Sequence, residues 1–168
     1  MKIGVPKETF PGERRVALSP NLIPQLVKAG HNIVVQTGAG EAAGFPDSQY
    51  TEKGAAIGTR SDVFGAELIA QVRAAGANPE AAQADLEHYQ RFQIVIAICD
   101  PLSQPKLAAE MAQRGVTLFS LELMPRITRA QSMDVLSSMA TIAGYRAVLL
   151  GATALPKMFP MMTTAAGT

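Results

Sequence analysis

The sequence of 168 residues contains no tryptophan, one cysteine and only two histidines. A single cysteine excludes an internal disulfide, and Cys99 lies within an apolar run, which indicates a buried thiol in a reducing compartment. No base lies near Cys99 in the sequence, which disfavours a nucleophilic role. His31 and His88 have no partner at metal-ligand spacing, so no metal site is predicted.

The sequence also lacks an excess of either charge, with 15 Lys and Arg against 14 Asp and Glu. Without a basic stripe, nucleic acid is not expected as a partner. No run reaches about 18 uninterrupted apolar residues, and the chain opens on the strand-like Lys2–Val5 rather than on a signal peptide. We therefore expect a soluble chain without direct membrane insertion.

What is present indicates an α/β fold. Short apolar runs, clearest at residues 32–36 and 93–98, alternate with helical patterns such as residues 105–114. This alternation predicts a Rossmann-like or flavodoxin-like parallel sheet in three layers. We assign residues 1–125 to this domain, and residues 126–168 to a loop, a long helix over residues 132–150 and an apolar tail. The polar, alanine-rich residues 74–90 are expected to form a surface insertion with a helix over residues 79–89.

Two candidate sites follow predicted strands. Gly38, Gly40 and Gly44 have the look of a dinucleotide fingerprint, but the spacing is wrong and Pro46 would break the helix that must follow, so a structural loop is favoured. The other group follows the first strand, where ligands often bind and an arginine could hold a carboxylate or phosphate. For these residues, ion pairs with one another are favoured over ligand binding. The group consists of Lys7, Glu8, Arg14 and Arg15.

The third candidate site is a polar loop and helix start that carries Arg126, Gln131, Asp134, Ser137 and Ser138. Gln131, Asp134 and Ser138 are spaced i, i+3, i+7 and would share one helix face, and Arg126 could fold back onto Asp134. Such a row offers donors and acceptors to a planar amide such as nicotinamide. Thr128 and Gln131 also fit a helix capping box, and the spacing alone does not decide between the two interpretations.

The opening MKIGVPKETFPGERRVALSP resembles the start shared by alanine dehydrogenases and transhydrogenase alpha subunits. The stretch ELMPRITRAQSMDVLSSMATIAGYRAV and the ending FPMMTTAAGT resemble transhydrogenases specifically, and RITRAQSMDVLSS is long and distinctive. The resemblance covers nearly the whole chain and is weakest in residues 74–90. The chain thus resembles the N-terminal part of a proton-translocating NAD(P) transhydrogenase alpha subunit.

The resemblance implies two Rossmann-like domains joined by long helices. The NAD-binding domain, which provides the main grip on NAD(H), would start after Thr168, and a later segment that completes the first domain would also be missing. The enzyme would transfer hydride between NAD(H) and NADP(H) on a partner domain, while a membrane domain couples this transfer to proton translocation. This chain alone is expected to be inactive. The resemblance also implies a homodimer. This dimer would be cytoplasmic and would be held at the inner face of the cell membrane by its partner subunits.

The resemblance also assigns roles to residues. The loop from Arg126 to Ser138 would lie against the nicotinamide, with an ion pair between Arg126 and Asp134. Gln131 would reach toward the second nucleotide, while Ser137 and Ser138 would bind the nicotinamide carboxamide. The catalytic set of Arg126, Gln131 and Asp134 would act by orienting the two rings and not as acids or bases.

Two alternatives remain. In an alanine dehydrogenase an arginine matching Arg15 holds the substrate carboxylate, and a lysine and a histidine do the chemistry. Gln71 and Asp100 stand at those two positions here and cannot replace them, which argues against amino-acid oxidation and leaves Arg15 a structural role. The second alternative is a non-catalytic dimerisation or scaffold fragment.

Overall fold

The computed structural model describes residues 1–157. The chain divides into two compact units, Met1–Met124 and a second unit that begins at Pro125. The first unit contains the sheet and the second contains the long helix.

A six-stranded, fully parallel sheet forms the centre of the first unit, in the order β3-β2-β1-β4-β5-β6. Ile3 pairs with Ile33 on one side and with Leu68 on the other, so the chain reverses direction across the sheet at β1. This is the doubly wound arrangement, and it confirms the predicted α/β fold. The strands are β1 (Lys2–Val5), β2 (Asn32–Gln36), β3 (Ala56–Gly58), β4 (Leu68–Arg73), β5 (Ile94–Ile98) and β6 (Thr117–Ser120).

Helices cover both faces of the sheet near β1. Ile3 and Val5 pack with Ile23 and Tyr50 in one buried cluster, whereas a Cβ on Gly4 would overlap the backbone of Val63. Because neighbouring residues of a strand point to opposite faces, these contacts define three layers. The helices are α1 (Ile23–Lys28), α2 (Asp47–Glu52), α3 (Arg60–Phe64), α4 (Pro79–His88), α5 (Pro105–Gln113) and α6 (Val135–Ala154).

Helix α3 is absent from the sequence-based prediction. It has only five residues, too few to show a helical period, but Thr59 and Asp62 form a capping box at its start. A second buried cluster, which includes Phe64, Ile69, Val95 and Met111, fills the other half of the unit.

The prediction that residues 74–90 form a surface insertion is wrong. The predicted helix is present as α4, but Asn78, Asp85, Leu86 and Tyr89 are each at most 5% exposed. The polar composition suggested a solvated segment. Only the tertiary fold provides partners for its polar side chains, among them Arg60 for Asp85 and Gln71 for Tyr89.

The second unit contains a 3-10 helix over Thr128–Met133 followed by α6. Helix α6 begins at Val135 rather than at Ser132, because Asp134 has non-helical backbone angles of φ −80° and ψ 89°. By length and composition α6 could span a membrane, which for a single helix is weak support for a span. The apolar tail and the FPMMTTAAGT ending lie outside the described residues.

Candidate functional site

The predicted polar residues at the start of α6 line one cavity of about 350 Å³. The structure therefore brings together all the residues of the third sequence candidate. The lining consists of Pro125, Arg126, Gln131, Asp134, Ser137 and Ser138.

Asp134 is the N-cap of α6. Its carboxylate accepts hydrogen bonds from the backbone N–H of Ser137 at 3.0 Å and from the Ser137 hydroxyl at 2.6 Å. These bonds lower the pKa of Asp134, with a smaller contribution from the positive charge of Arg126. Asp134 is therefore ionised at neutral pH, and it adds a fixed negative charge to the cavity.

Two details of the sequence-based interpretation are wrong. The Thr128 and Gln131 capping box does not form, because the 3-10 helix starts without a side-chain cap. Gln131 and Asp134 also do not share a face of one continuous α-helix, since α6 starts only at Val135. The residues meet because the 3-10 helix leads directly into the capping turn at Asp134, and residues of both line the cavity.

The expected ion pair of Arg126 with Asp134 is not formed. Within residues 1–157 the ion pairs within 4.0 Å are Arg15–Glu13, Arg60–Asp85 and Arg73–Glu13. Arg126 acts on Asp134 through its charge over a longer distance.

The cavity presents both acceptors and donors. The Ser137 hydroxyl donates to Asp134, and the Ser138 hydroxyl donates to the Asp134 backbone carbonyl at 3.2 Å. Each hydroxyl proton is used inside the protein, so the oxygen lone pairs remain as acceptors. Gln131 is exposed and adds an amide donor and a carbonyl acceptor. This set matches the hydrogen-bonding groups of a planar carboxamide.

The glycine loop after β2 is a packed turn. The N–H of Gly38 donates to both carboxylate oxygens of Asp47, at 2.9 and 3.2 Å. A Cβ on Gly40 would lie 2.5 Å from the carbonyl oxygen of Phe45. Because Asp47 already accepts from the Gly38 N–H, the loop does not present that N–H to a phosphate. Gly40 is required by packing, and Gly38 and Gly44 adopt positive φ angles, so this is the structural loop that was favoured over a dinucleotide site.

The loop after β1 lines a smaller cavity of about 120 Å³. Arg15 holds the carboxylate of Glu13 through its Nε at 2.8 Å and its Nη2 at 2.6 Å, and Arg73 binds the same carboxylate at 2.8 Å. The bonds from Arg15 and Arg73 lower the pKa of Glu13 to about 2. Charge pairing was expected in this loop, but Glu13 and Arg73 were not among the residues predicted to take part.

A buried polar network beside this loop was also missed. Tyr89 donates its hydroxyl to Gln71 at 2.5 Å, and the Gln71 amide donates to Asp85 at 3.4 Å. Asp85 also forms an ion pair with the partly buried Arg60. The available sequence signal was the presence of Asp85 within the predicted helix and of Tyr89 directly after its end. Gln71 is therefore part of the polar interior of the unit. Its side chain is an amide and cannot replace the lysine that an alanine dehydrogenase has at this position.

Asp100 follows β5 with a left-handed backbone, at φ +46°, and its N–H donates to the carboxylate of Glu122. Glu122 also accepts the N–H of Cys99 at 2.8 Å, and Cys99 is fully buried. Burial raises the pKa of this thiol to about 12, in agreement with a core thiol. No group of three or more possible metal ligands occurs among residues 1–157.

Comparison with known proteins agrees with this architecture. The chain is 41% identical to the NAD(P) transhydrogenase subunit alpha of Cereibacter sphaeroides, over 99% of the chain and 31% of that protein. A crystal structure of transhydrogenase from Sinorhizobium meliloti superimposes with a TM-score of 0.87 at 42% identity, covering 99% of this chain and 48% of that one. The alanine dehydrogenase of Bacillus subtilis is 31% identical over 94% of the chain and 39% of its own length.

The chain therefore spans between about a third and a half of the length of these relatives. Residues 4–143 match the family model described as alanine dehydrogenase/PNT, N-terminal domain. This match covers most of the chain, and both the fold and the relatives agree with it. The chain belongs to the family of the alanine dehydrogenase/PNT N-terminal domain.

Proposed function

We propose that this chain is part of the NAD(H)-binding component of a transhydrogenase that transfers hydride between NAD(H) and NADP(H), coupled to proton translocation across a membrane. The observation that carries the proposal is the cavity at the start of α6. There an exposed carboxamide, an ionised carboxylate and two hydroxyls meet within the stretch that resembles transhydrogenases. The higher identity to a transhydrogenase, 41% against 31% for an alanine dehydrogenase, supports the same choice.

The residues of the cavity suit the nicotinamide end of the cofactor. NAD(H), when bound, supplies the carbon that gives or receives the hydride. The oxygens of Ser137 and Ser138 would accept from the amide group of the nicotinamide, and Gln131 would donate to its carbonyl or reach toward the second nucleotide. Arg126 and Asp134 would shape the site by charge. None of these residues moves a proton in the hydride step, so their contribution is orientation.

The remaining parts of the enzyme are proposed as partners. The main grip on NAD(H) would come from an NAD-binding domain, and NADP(H) would be held by a partner subunit or domain. A membrane domain would couple hydride transfer to proton movement. The component would act as a homodimer on the cytoplasmic inner face of the cell membrane, attached through these partners, with no membrane insertion of its own.

Amino-acid oxidation is the alternative that the alanine dehydrogenase relatives raise. Gln71 is 3% exposed and hydrogen-bonded to Tyr89 and Asp85, so it provides no cationic amine. Asp100 provides a carboxyl group and not an imidazole. Arg15 is engaged by Glu13 through two of its nitrogens. These three positions argue against alanine oxidation.

The decisive experiment uses the complete alpha subunit that carries this chain, mixed with the NADP-binding component. Hydride exchange between NADH and an NADP analogue is expected, without NADH production from alanine. Alanine oxidation would establish the alternative, and no activity in either assay would leave a scaffold role. The 168-residue chain alone should show little binding of NADH by calorimetry, and micromolar binding would contradict the idea that another domain provides the main grip.

A further inference from the structure

We propose that Asp134 makes the cavity at the start of α6 distinguish the two oxidation states of the nicotinamide ring. Its fixed negative charge favours the positively charged ring of NAD⁺ over the uncharged ring of NADH, and the positive charge of Arg126 acts in the opposite direction. The inference rests on the proposed function, because it concerns the same cavity. It goes beyond that function by assigning a charge selectivity that binding of the carboxamide does not provide.

The two forms of the cofactor differ at the ring by one hydride. When NADH donates, a hydrogen nucleus leaves with two electrons for the acceptor nucleotide, and the ring is left with a positive charge. The carboxamide on the ring is the same in both forms. A group that only hydrogen-bonds to the carboxamide therefore binds both forms to about the same extent, whereas a charge beside the ring does not. Selectivity between the two forms needs a charged group in the cavity.

Asp134 is such a group. It is the only acidic residue in the sequence from position 125 to position 168, a stretch that contains three arginines and one lysine. This single carboxylate lines the cavity of about 350 Å³, together with Gln131, Ser137 and Ser138. The negative charge of this part of the chain is therefore placed where the ring would bind.

Hydrogen bonds hold this carboxylate in place and in its charged form. One oxygen accepts the backbone N–H of Ser137 at 3.0 Å, and the other accepts the Ser137 hydroxyl at 2.6 Å. Donation to both oxygens favours the ionised state, and the lowered pKa of Asp134 agrees with this geometry. Because the side chain is held at the helix start, its charge does not turn away from the cavity when the ligand changes oxidation state.

Arg126 lines the same cavity without neutralising Asp134. The ion pairs within 4.0 Å among residues 1–157 do not include Arg126, so the two charges of the cavity remain separate. A positive charge disfavours the oxidised ring, and Arg126 therefore opposes Asp134. Arg126 is exposed, so water and salt screen its charge and its effect should be the smaller one.

The expected size of the selectivity follows from Coulomb's law. Two unit charges about 8 Å apart, a distance within the span of a cavity of this size, change a binding constant by about twofold in bulk water and by about thirtyfold at an effective dielectric constant of about 20. Asp134 is only partly buried, which places it in the lower part of this range. We expect Asp134 to change the relative affinity of NAD⁺ and NADH by about threefold to tenfold.

Calorimetric titration of the complete alpha subunit with NAD⁺ and with NADH, at low ionic strength, tests the proposal. Asp134→Asn removes the charge but retains the helix cap, because asparagine is as good an N-cap as aspartate. The ratio of the dissociation constant of NAD⁺ to that of NADH should rise by about threefold to tenfold in this variant. Any altered bonding to the carboxamide affects both forms and cancels in the ratio.

Arg126→Gln should move the same ratio in the opposite direction by a smaller factor. Arg129→Gln is its matched control, since Arg129 is an exposed arginine of the 3-10 helix that does not line the cavity. Its ratio should equal that of the wild type. Ser138→Ala removes a neutral group and should weaken the binding of both forms by the same factor.

An unchanged or lowered ratio in Asp134→Asn would overturn the proposal, as would shifts in the same direction in Asp134→Asn and Arg126→Gln. If Asp134→Asn did not fold, Arg126→Gln would decide, and a ratio equal to that of Arg129→Gln would overturn the proposal. Absence of both NADH binding and hydride exchange in the wild-type subunit would instead overturn the proposed function, and this inference with it.

Discussion

The carboxylate of Asp134 accepts both the backbone N–H and the hydroxyl of Ser137, at 3.0 and 2.6 Å. One aspartate thus starts helix α6 and fixes the rotamer of a serine that lines the cavity. The cap of α6 is Asp134 and not the Thr128 and Gln131 box that the sequence suggested, and the capping residues themselves line the cavity. Capping determines which atoms remain available to a ligand.

The dual role of Asp134 can be separated by substitution. Asp134→Ala should remove the cap and reduce amide protection of Ser137. Asp134→Ser should retain most of that protection, because serine is also a good N-cap, but it removes the negative charge. Exchange of the Ser137 amide and hydride transfer by the complete subunit would be measured for both variants. Equal loss of protection in the two would show that Asp134 does not act as the cap.

Shortening the Gln131 side chain tests whether it orients the nicotinamide rings of the two nucleotides. Gln131→Asn withdraws the carboxamide by one methylene, so hydride transfer in the complete subunit should slow on the order of tenfold to a hundredfold. NADH affinity should change little, because the main grip lies elsewhere. Gln113→Asn, the same change at an exposed position at the end of α5, is the control. Unchanged turnover in Gln131→Asn would remove this residue from the site.

The ion pair of Asp85 with Arg60 should be important for stability. Asp85 has a side chain 6% exposed, and its removal takes the carboxylate from the partly buried Arg60 and the acceptor from the buried Gln71 amide. We expect Asp85→Ala to lower the free energy of unfolding by about 1–3 kcal/mol. The exposed Glu87→Ala on the same helix should change it by less than about 0.5 kcal/mol. Urea unfolding compares the two, and similar effects would mean that α4 is a surface segment after all.

Glu13 should stabilise the fold in a pH-dependent manner. Its pKa lies at about 2 in the folded chain and at an ordinary 4.5 when unfolded. Its contribution is therefore present above about pH 4.5 and is lost as the pH falls through about 2. The difference in unfolding free energy between wild type and Glu13→Gln should shrink over this range, as measured by urea unfolding. The exposed Glu52→Gln should follow the wild type.

The range below pH 4.5 separates the effect of Glu13 on stability from that of Glu8. The raised pKa of Glu8 has the opposite sign, and its effect on stability falls between about pH 4.5 and 7. A constant difference between wild type and Glu13→Gln from pH 4.5 down to 2 would contradict the assigned role of Glu13.

The sequence by itself determined the α/β class with its parallel sheet and pointed to the residues of the candidate site. Apolar runs such as Asn32–Gln36 and Ile94–Ile98 are long enough to show buried parallel strands, and Pro79 and Pro105 mark the starts of α4 and α5. The distinctive stretch from Arg126 to Ser138 drew attention to the residues that line the cavity. These features are local, since each depends on neighbours along the chain.

Only the tertiary structure decided the partners of the charged groups. The sequence does not reveal that Glu8 reaches the end of β4 some 64 residues away, nor that Arg60 meets Asp85. The polar composition of residues 74–90 predicted a solvent-exposed segment, but Asp85 and Tyr89 are buried beside polar partners in the folded chain. Burial and long-range pairing are properties of the whole fold, because a polar side chain can lie in the interior only where distant residues satisfy it.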